Sequence, residues 1–354
     1  MVTISLCMII KNEEAVLGRC LEAAEGIADE IIIVDTGSMD KSREIARSYG
    51  AGVYEIPWKN DFAEVRNVSF SKASMDYCMW LDADDVITAE EKRKLLMWKQ
   101  ETDGQKDILM LKYAVQYDEE GKPTYVYYRE RLVKRTLHPL WRGRVHEVIE
   151  AEGSTEYLDI MIEHHSNKSE YSDRNLKIYR EMLKAGEALS VRDQFYYARE
   201  LFYHKAYGEA VENFLKFLAF PGGFVENQIE ACRFCARACS MIGKSGMTLE
   251  FLYRGLTYRV PTGELCCDIG ECFFDRSKWE QAVFWYENAL RVPFDETTGG
   301  FIQREYYEYI PCVQLSVCWY RIGDKKKAEA YHRMAGLYKP YGTEYRQNER
   351  YFKR

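Results

Sequence analysis

The stretch Met75-Asp76-Tyr77-Cys78-Met79-Trp80-Leu81-Asp82-Ala83-Asp84-Asp85 decides how this chain is read. An apolar run that stops in three carboxylates within four residues reads as a buried strand that delivers negative charge at its tip. Carboxylates at the carboxyl end of a strand in an α/β sheet suit a hard divalent cation carrying phosphate oxygens. A plainer reading is a strand followed by a helix cap, because Asp85-Val86-Ile87-Thr88-Ala89-Glu90-Glu91 could begin a helix. The choice depends on what other strands bring to the same edge.

Residues 2–10 are β-branched and apolar and run into Lys11-Asn12-Glu13-Glu14, after which 15–24 has the pattern of a helix. Residues 30–34 are almost wholly apolar, as a strand covered on both faces would be, and end in Asp35-Thr36-Gly37-Ser38. A helix over 40–49 closed by Gly50 and a strand over 52–56 ending at Pro57 continue the alternation. Strands alternating with helices predict an α/β fold with a doubly wound, mostly parallel sheet. Ligands of such sheets lie beyond the carboxyl ends of the strands, so the clusters around Lys11, Asp35 and Asp82 should meet on one edge. A charged helix over 89–99 then leads to two stretches, 107–113 and 125–128, that read as antiparallel additions joined by the turn Glu119-Glu120-Gly121-Lys122-Pro123.

From about residue 175 strand patterns vanish and amphipathic helical patterns run to Lys339. Small residues recur 12 apart: Ala198 and Ala210, Gly270 and Ala282, Ser316 and Ala328, with a fainter pair at Ala236 and Thr248. Phe214 and Tyr286 follow four residues after two of these pairs. The pattern describes antiparallel helix pairs packed at their small positions, as in tetratricopeptide repeats. The 46 residues from Ala282 to Ala328 exceed one repeat, and the excess falls in Asp295-Glu296-Thr297-Thr298-Gly299-Gly300. The predicted organisation is a catalytic domain over 1–165, a linker helix over 166–190 and a helical repeat domain over 191–354.

At 354 residues the chain is long enough for two domains. A net charge of -7 argues against sequence-independent nucleic-acid binding, which needs a basic face, and against an affinity for anionic membranes. The 11 cysteines are odd in number and embedded in apolar stretches, so they read as small hydrophobes in a reducing cytoplasm. Cys232, Cys235 and Cys239 have metal-like spacing, but no second pair completes a site and the three share one helix face. No basic-then-apolar leader precedes the first strand and no apolar run approaches the ~20 residues of a membrane span, so a cytoplasmic protein is expected.

Four motifs, Met8-Ile9-Ile10-Lys11-Asn12-Glu13-Glu14, Val34-Asp35-Thr36-Gly37-Ser38-Met39-Asp40, Phe62-Ala63-Glu64-Val65-Arg66-Asn67 and Trp80-Leu81-Asp82-Ala83-Asp84-Asp85, together resemble family 2 glycosyltransferases. With Gly143-Arg144-Val145-His146-Glu147 and a tetratricopeptide-like tail, the chain is similar to the bacterial branch that glycosylates peptides and proteins, bacteriocin S-glycosyltransferases included. The resemblance covers residues 1–165 by motif and the tail by repeat pattern.

The resemblance implies a GT-A fold, a nucleotide-sugar donor such as a UDP-sugar, Mg²⁺ or Mn²⁺, and inversion at the anomeric carbon. Asp84 matches the direct metal ligand, and Asp82 the neighbour that touches the ribose or reaches the metal through water. His146 is expected to complete the sphere. His164 and His165 are rivals for that place and equally suit structural roles. Asp35 matches the acceptor for the N–H of the base, Lys11 and Glu14 the turn that frames the nucleoside, and Arg66 a guanidinium that approaches the pyrophosphate or clamps the carboxylate motif. Inversion needs a base for the acceptor's proton, with Glu147 the first choice and Asp85 the second. The expected partners are the nucleotide-sugar and a peptide or protein held by the repeats. The 27 tyrosines also suit a homodimer interface. A glycan or lipid-linked acceptor, or a non-catalytic nucleotide-sensing scaffold, are the alternative readings.

Overall fold

The structure, a computed structural model, describes residues 1–165 and 172–352. It divides into two compact units, Met1–Glu187 and Ala188–Arg354.

The first unit is built on β1 (Ile4–Ile10), β2 (Glu30–Asp35), β3 (Gly52–Glu55) and β4 (Tyr77–Trp80), which lie side by side in parallel in the order β3-β2-β1-β4. Their apolar composition follows from cover on both faces. Leu6 and Met8 of β1 pack with Leu17 and Leu21 of α1 (Leu17–Ala24) and Leu95 of α4 (Ala89–Glu101). Cys7, Ile32 and Cys78 face the other way, toward Ala63 and Phe70 of α3 (Phe62–Ser71). A second helix, α2 (Ser42–Ser48), joins β2 to β3 and seats Ala46 in the first of these cores.

Beyond β4 the sheet becomes mixed. It continues with β7 (Pro123–Lys134), β6 (Ile108–Tyr117), β10 (Thr155–His164) and the two-residue β5 (Asp85–Val86), giving eight strands in all. Here β7 is antiparallel to β4 and to β6, β10 is parallel to β6, and β5 is antiparallel to β10. The α/β expectation holds, and parallel order is confined to the first half of the sheet and the β6–β10 pair. A separate ribbon, β8 (Leu140–Arg142) with β9 (Val148–Glu150), carries the Gly143–Glu147 turn. The helix α5 (Arg174–Lys184) falls within the first unit, where Glu181 accepts from Asn60 and Arg174 lies over Phe62.

Two helix starts show why the local sequence folds as it does. Asp61 caps α3 by accepting from Glu64 N at 2.9 Å, and Thr88 caps α4 by accepting from Glu91 N at 3.4 Å. The cap of α4 is therefore Thr88, not Asp85. The Thr88-x-x-Glu91 spacing of a capping box was the readable signal.

In the second unit α6 (Val191–Tyr203) pairs with α7 (Tyr207–Ala219), α8 (Val225–Met241) with α9 (Thr248–Gly255), α10 (Gly263–Phe274) with α11 (Trp279–Ala289), and α12 (Tyr309–Ile322) with α13 (Lys325–Tyr338). These are tetratricopeptide-like hairpins. The final helix is α14 (Thr343–Phe352). The recurrent small residues Ala198, Ala210, Ala282, Ser316 and Ala328 are all fully buried. At Gly270 the approach is so close that a Cβ would fall 2.9 Å from the Tyr286 ring of the facing helix. The surplus chain lies, as expected, between α11 and α12. All 11 cysteines are free thiols, and Cys232, Cys235 and Cys239 are buried in α8 as core residues. Among the described residues no helix is long and apolar enough to cross a membrane.

Candidate active site

The parallel strands bring their carboxyl ends together, with Ile10 opposite Asp35 and Cys7 opposite Trp80. The turns after β1 and β2 are stitched to one another. Asn12 takes a left-handed conformation (φ 55°), which asparagine tolerates, and so turns its Oδ1 to Met39 N at 2.8 Å while its own N–H donates to Ser38 Oγ at 2.9 Å. Glu14 accepts from Lys41 N at 2.9 Å and its N–H donates to Asp40. Its carboxylate thus fastens the two turns together, while Lys11 stands exposed beside them.

Asp35 is fully buried at the base of this double turn. Its Oδ1 accepts from Gly37 N and Ser38 N, both at 2.8 Å, and Gly37 takes a positive φ of 103° to allow it. Its Oδ2 is buried with no hydrogen-bond partner. A buried acceptor of this kind is costly unless a donor reaches it.

After β4 the chain turns sharply, so that Asp85 N donates to Asp82 O and Asp82 N to Asp85 Oδ2, both at 3.0 Å. Asp85 is fully buried. Its Oδ1 accepts from Tyr113 Oη at 2.9 Å and its Oδ2 also accepts from Arg131 Nη1 at 3.0 Å. Arg131 is itself fully buried between the faces of Trp80 and Tyr113, at 3.8 and 4.2 Å from their centroids. With three donors on its oxygens and no exposure, Asp85 is placed to hold the turn and cannot reach an acceptor substrate. The base role considered for it does not fit this position.

Asp84, one residue earlier, is half-buried. Because β10 runs antiparallel to β5, His164 lies directly opposite Asp85, and its Nδ1 sits 3.5 Å from Asp84 Oδ1 and 3.4 Å from Asp85 Oδ1. This nitrogen is buried and makes no hydrogen bond. Asp84, Asp85 and His164 are grouped closely enough to share an ion. His146, expected in that role, lies outside the group, in a left-handed conformation (φ 51°) within the β8–β9 turn. His165 is turned aside, stacked on Tyr117 and bonded to Glu163 at 2.8 Å.

Arg66 joins the acidic turn to the ribbon. Its Nη2 donates to Asp82 Oδ1 at 2.8 Å and its Nε to Glu147 Oε1 at 2.6 Å, and its plane lies 5.0 and 4.8 Å from the centroids of Trp80 and Trp141. The remaining Nη1 is buried and unpartnered. Asn67 pairs with the backbone of Trp141 in both directions, at 2.8 and 3.0 Å, and Phe62 N donates to Arg144 O at 2.9 Å. Thus α3 holds the β8–β9 ribbon and its turn at three points. Sequence reading quoted Asn67 within a motif but gave it no role, and it missed Tyr113, Arg131 and Trp141, whose roles arise from long-range pairing.

The electrostatics follow from this count. Burial works against ionisation of Asp82, but Arg66 and Arg131 outweigh it and hold the carboxyl down at about 2. Burial pushes Asp84 up, and Asp82 and Asp85 push the same way. Burial opposes the His164 imidazolium, yet Asp85, Asp84 and Asp82 together raise it. The carboxylates of Asp82, Asp84, Asp85 and Glu147 gather around the guanidinium groups of Arg66 and Arg131 and the His164 imidazole, a surplus of oxygen acceptors that suits a cation. Asp84 with His164 offers such an ion one oxygen and one nitrogen, a donor set that suits Mn²⁺ and leaves room for phosphate oxygens and water. Asp85, its lone pairs largely taken, supports that pair from behind.

Residues 5–148 match the family described as glycosyl transferase family 2. A TPR repeat-containing protein of Synechococcus elongatus is 39% identical over 90 residues, 25% of this chain and 22% of that protein. The lipopolysaccharide core biosynthesis glycosyltransferase of Rhizobium meliloti is 39% identical over 88 residues, 23% of this chain and 32% of its own. The prophage-derived glycosyltransferase SunS of Bacillus subtilis is 32% identical over 96 residues, 26% of this chain and 22% of that protein. The chain matches these relatives over less than a third of their own lengths. Over residues 5–148, less than half of its length, the chain is thus similar to glycosyl transferase family 2.

Proposed function

We propose that this chain is a metal-dependent, inverting glycosyltransferase that moves a sugar from a UDP-sugar to a polypeptide side chain, a Ser or Thr hydroxyl or a Cys thiol. The observation that carries the reading is the set of buried polar atoms that make no hydrogen bond at the ends of the sheet strands: Asp35 Oδ2, Arg66 Nη1 and His164 Nδ1. Each wants a different part of one ligand. Asp35 Oδ2 accepts the ring N–H of a uracil, whose other edge the stitched turns beside Lys11 would border. Arg66 Nη1 donates to a diphosphate oxygen. Asp84 and His164 would hold Mn²⁺ or Mg²⁺, which when bound supplies a Lewis acid for the charge that develops on the leaving diphosphate.

The protein's own groups supply the remainder. Asp82 is kept ionised by Arg66 and is placed to accept from ribose hydroxyls. Glu147 gives Oε1 to Arg66, which fixes its orientation and leaves Oε2 to take the acceptor's proton as the nucleophile attacks in line. A thiol, ionising near ~8.5, asks less of that base than a hydroxyl does. The tetratricopeptide-like hairpins support a polypeptide acceptor, since such arrays commonly grip peptides. The relative named for lipopolysaccharide core biosynthesis keeps a glycan acceptor as the second reading.

The test is intact-mass analysis of candidate acceptor proteins incubated with the enzyme, Mn²⁺ and a panel of UDP-sugars. The proposal expects a mass gain of one sugar residue that disappears with EDTA and with Asp84→Ala. Metal-independent transfer, or no nucleotide release from any UDP-sugar, would refute it.

A further inference from the structure

Charge is not spread evenly along this chain. Residues 321–354 hold ten Lys and Arg against four Asp and Glu, a net +6, which leaves -13 on residues 1–320. The basic end coincides with an apolar face that is exposed among the described residues. Helix α13 buries Ala328, His332 and Ala335 on one side. On the opposite side, at the spacing of successive turns, lie Lys326, Ala330, Arg333 and Leu337, with Met334, Tyr338 and Tyr341 along the flank. Leu337 is 84% exposed and Tyr341 60%. Burying such side chains is favourable by the ordinary hydrophobic effect, so this face calls for an occupant.

Charge selects among the candidates. Helix α13 carries Lys325, Lys326, Lys327 and Arg333 against the single carboxylate Glu329, so two copies meeting through it would bring surfaces of like net charge together. The occupant should be anionic. Shape narrows it further, because Leu337 stands out from the helix rather than lining a groove, and a peptide helix needs a groove for its anchors. Leu, Met and Tyr flanked by Lys and Arg is the composition of a helix face that lies in a lipid interface, with the basic groups at the headgroups. Lys327 and Arg346 are committed to the Trp319 and Tyr341 rings, at 3.8 and 4.9 Å from the centroids, which leaves Lys326 and Arg333 as the pair beside the apolar stripe.

We infer that the exposed face of α13, centred on Leu337 and flanked by Lys326 and Arg333, docks the chain onto an anionic phospholipid surface. The net negative charge of the whole chain does not prevent this, because screening confines the repulsion of distant groups to about 8 Å at physiological salt.

The experiment is flotation of the full-length chain with vesicles of phosphatidylcholine alone and with about 30% phosphatidylglycerol added. The expected result is binding to the anionic vesicles only, weakened by salt. It should fall roughly tenfold in Leu337→Asp and in the double variant Lys326→Glu, Arg333→Glu, both at exposed positions where folding is unaffected. The inference is overturned if the wild type does not float with anionic vesicles, or if the variants float as well as the wild type. It is also overturned if Leu337→Asp instead abolishes a concentration-dependent dimer in sedimentation velocity, which would assign the face to self-association, or abolishes binding of an acidic peptide with vesicle binding intact.

Discussion

Two neighbouring aspartates should respond in opposite ways to the same substitution. Asp85 is fully buried and accepts hydrogen bonds from Tyr113, Arg131 and Asp82 N. Asparagine offers one acceptor oxygen in place of two, and its NH₂ would face at least one of these donors. Arg131 would keep its charge without the carboxylate that bonds it, and its Nε and Nη2 already lack partners. Breaking a buried pair in this way costs about 3–5 kcal/mol. Asp84→Asn has none of these consequences. The folded state already resists ionisation of Asp84. A raised carboxyl costs stability above its unfolded pKa, so removing its charge at pH 7 leaves the fold equally or more stable. Because the chain has two units, the assay should be local: hydrogen exchange of the β1 and β4 amides. Asp85→Asn should lower their protection by roughly two to nearly four powers of ten, at about 1.4 kcal/mol per power. Asp84→Asn should leave it unchanged or raise it. Equal losses in both variants, or none in Asp85→Asn, would refute the assignment of Asp85 to structure and Asp84 to function.

Other consequences are as specific. Gly270→Ala should destabilise the helical unit by about 1–3 kcal/mol in urea melts, because its methyl meets the Tyr286 ring, and Tyr286→Leu should restore part of the loss. Asn67→Ala removes both bonds to the Trp141 backbone, so the ribbon should show faster hydrogen exchange while β1 and β2 do not. Burial opposes ionisation of Asp268, but Arg233 and Arg237 outweigh it and hold its carboxyl below the usual range. A lowered carboxyl contributes stability above its unfolded pKa and loses it as pH falls through the folded one. Asp268→Asn should therefore cost about 3 kcal/mol at pH 7, and the difference from wild type should shrink as pH drops below about 4.

How much of this could be read from the chain differs between its parts. The strand tips at Lys11, Asp35 and Asp82 were legible because each apolar run ends abruptly in polar residues, and parallel neighbours must present those ends together. The helix pairs were legible because Ala198, Ala210, Ala282 and Ala328 mark where two backbones meet. The choice among His146, His164 and His165 was not, since it depends on β10 pairing with β5 in a register that sets His164 against Asp85. A two-residue strand leaves no periodic trace. The fate of Asp85 was equally hidden: its partners Tyr113 and Arg131 lie 28 and 46 residues away, and only the hairpin of β6 and β7 carries them beneath Trp80. Arg66 was recognised from its motif, but the Trp80 and Trp141 faces that hold it lie 14 and 75 residues further along the chain.

The central claim is that Asp84 and His164 hold a divalent ion for a nucleotide diphosphate. Calorimetric titration of UDP into the protein tests it most directly, in Mn²⁺ and in EDTA, for the wild type and for Asp84→Ala, His164→Ala and His146→Ala. The account predicts binding in Mn²⁺ that is lost in EDTA and in the first two variants and kept in His146→Ala. Equal binding with and without metal, or loss in His146→Ala with His164→Ala unaffected, would contradict it.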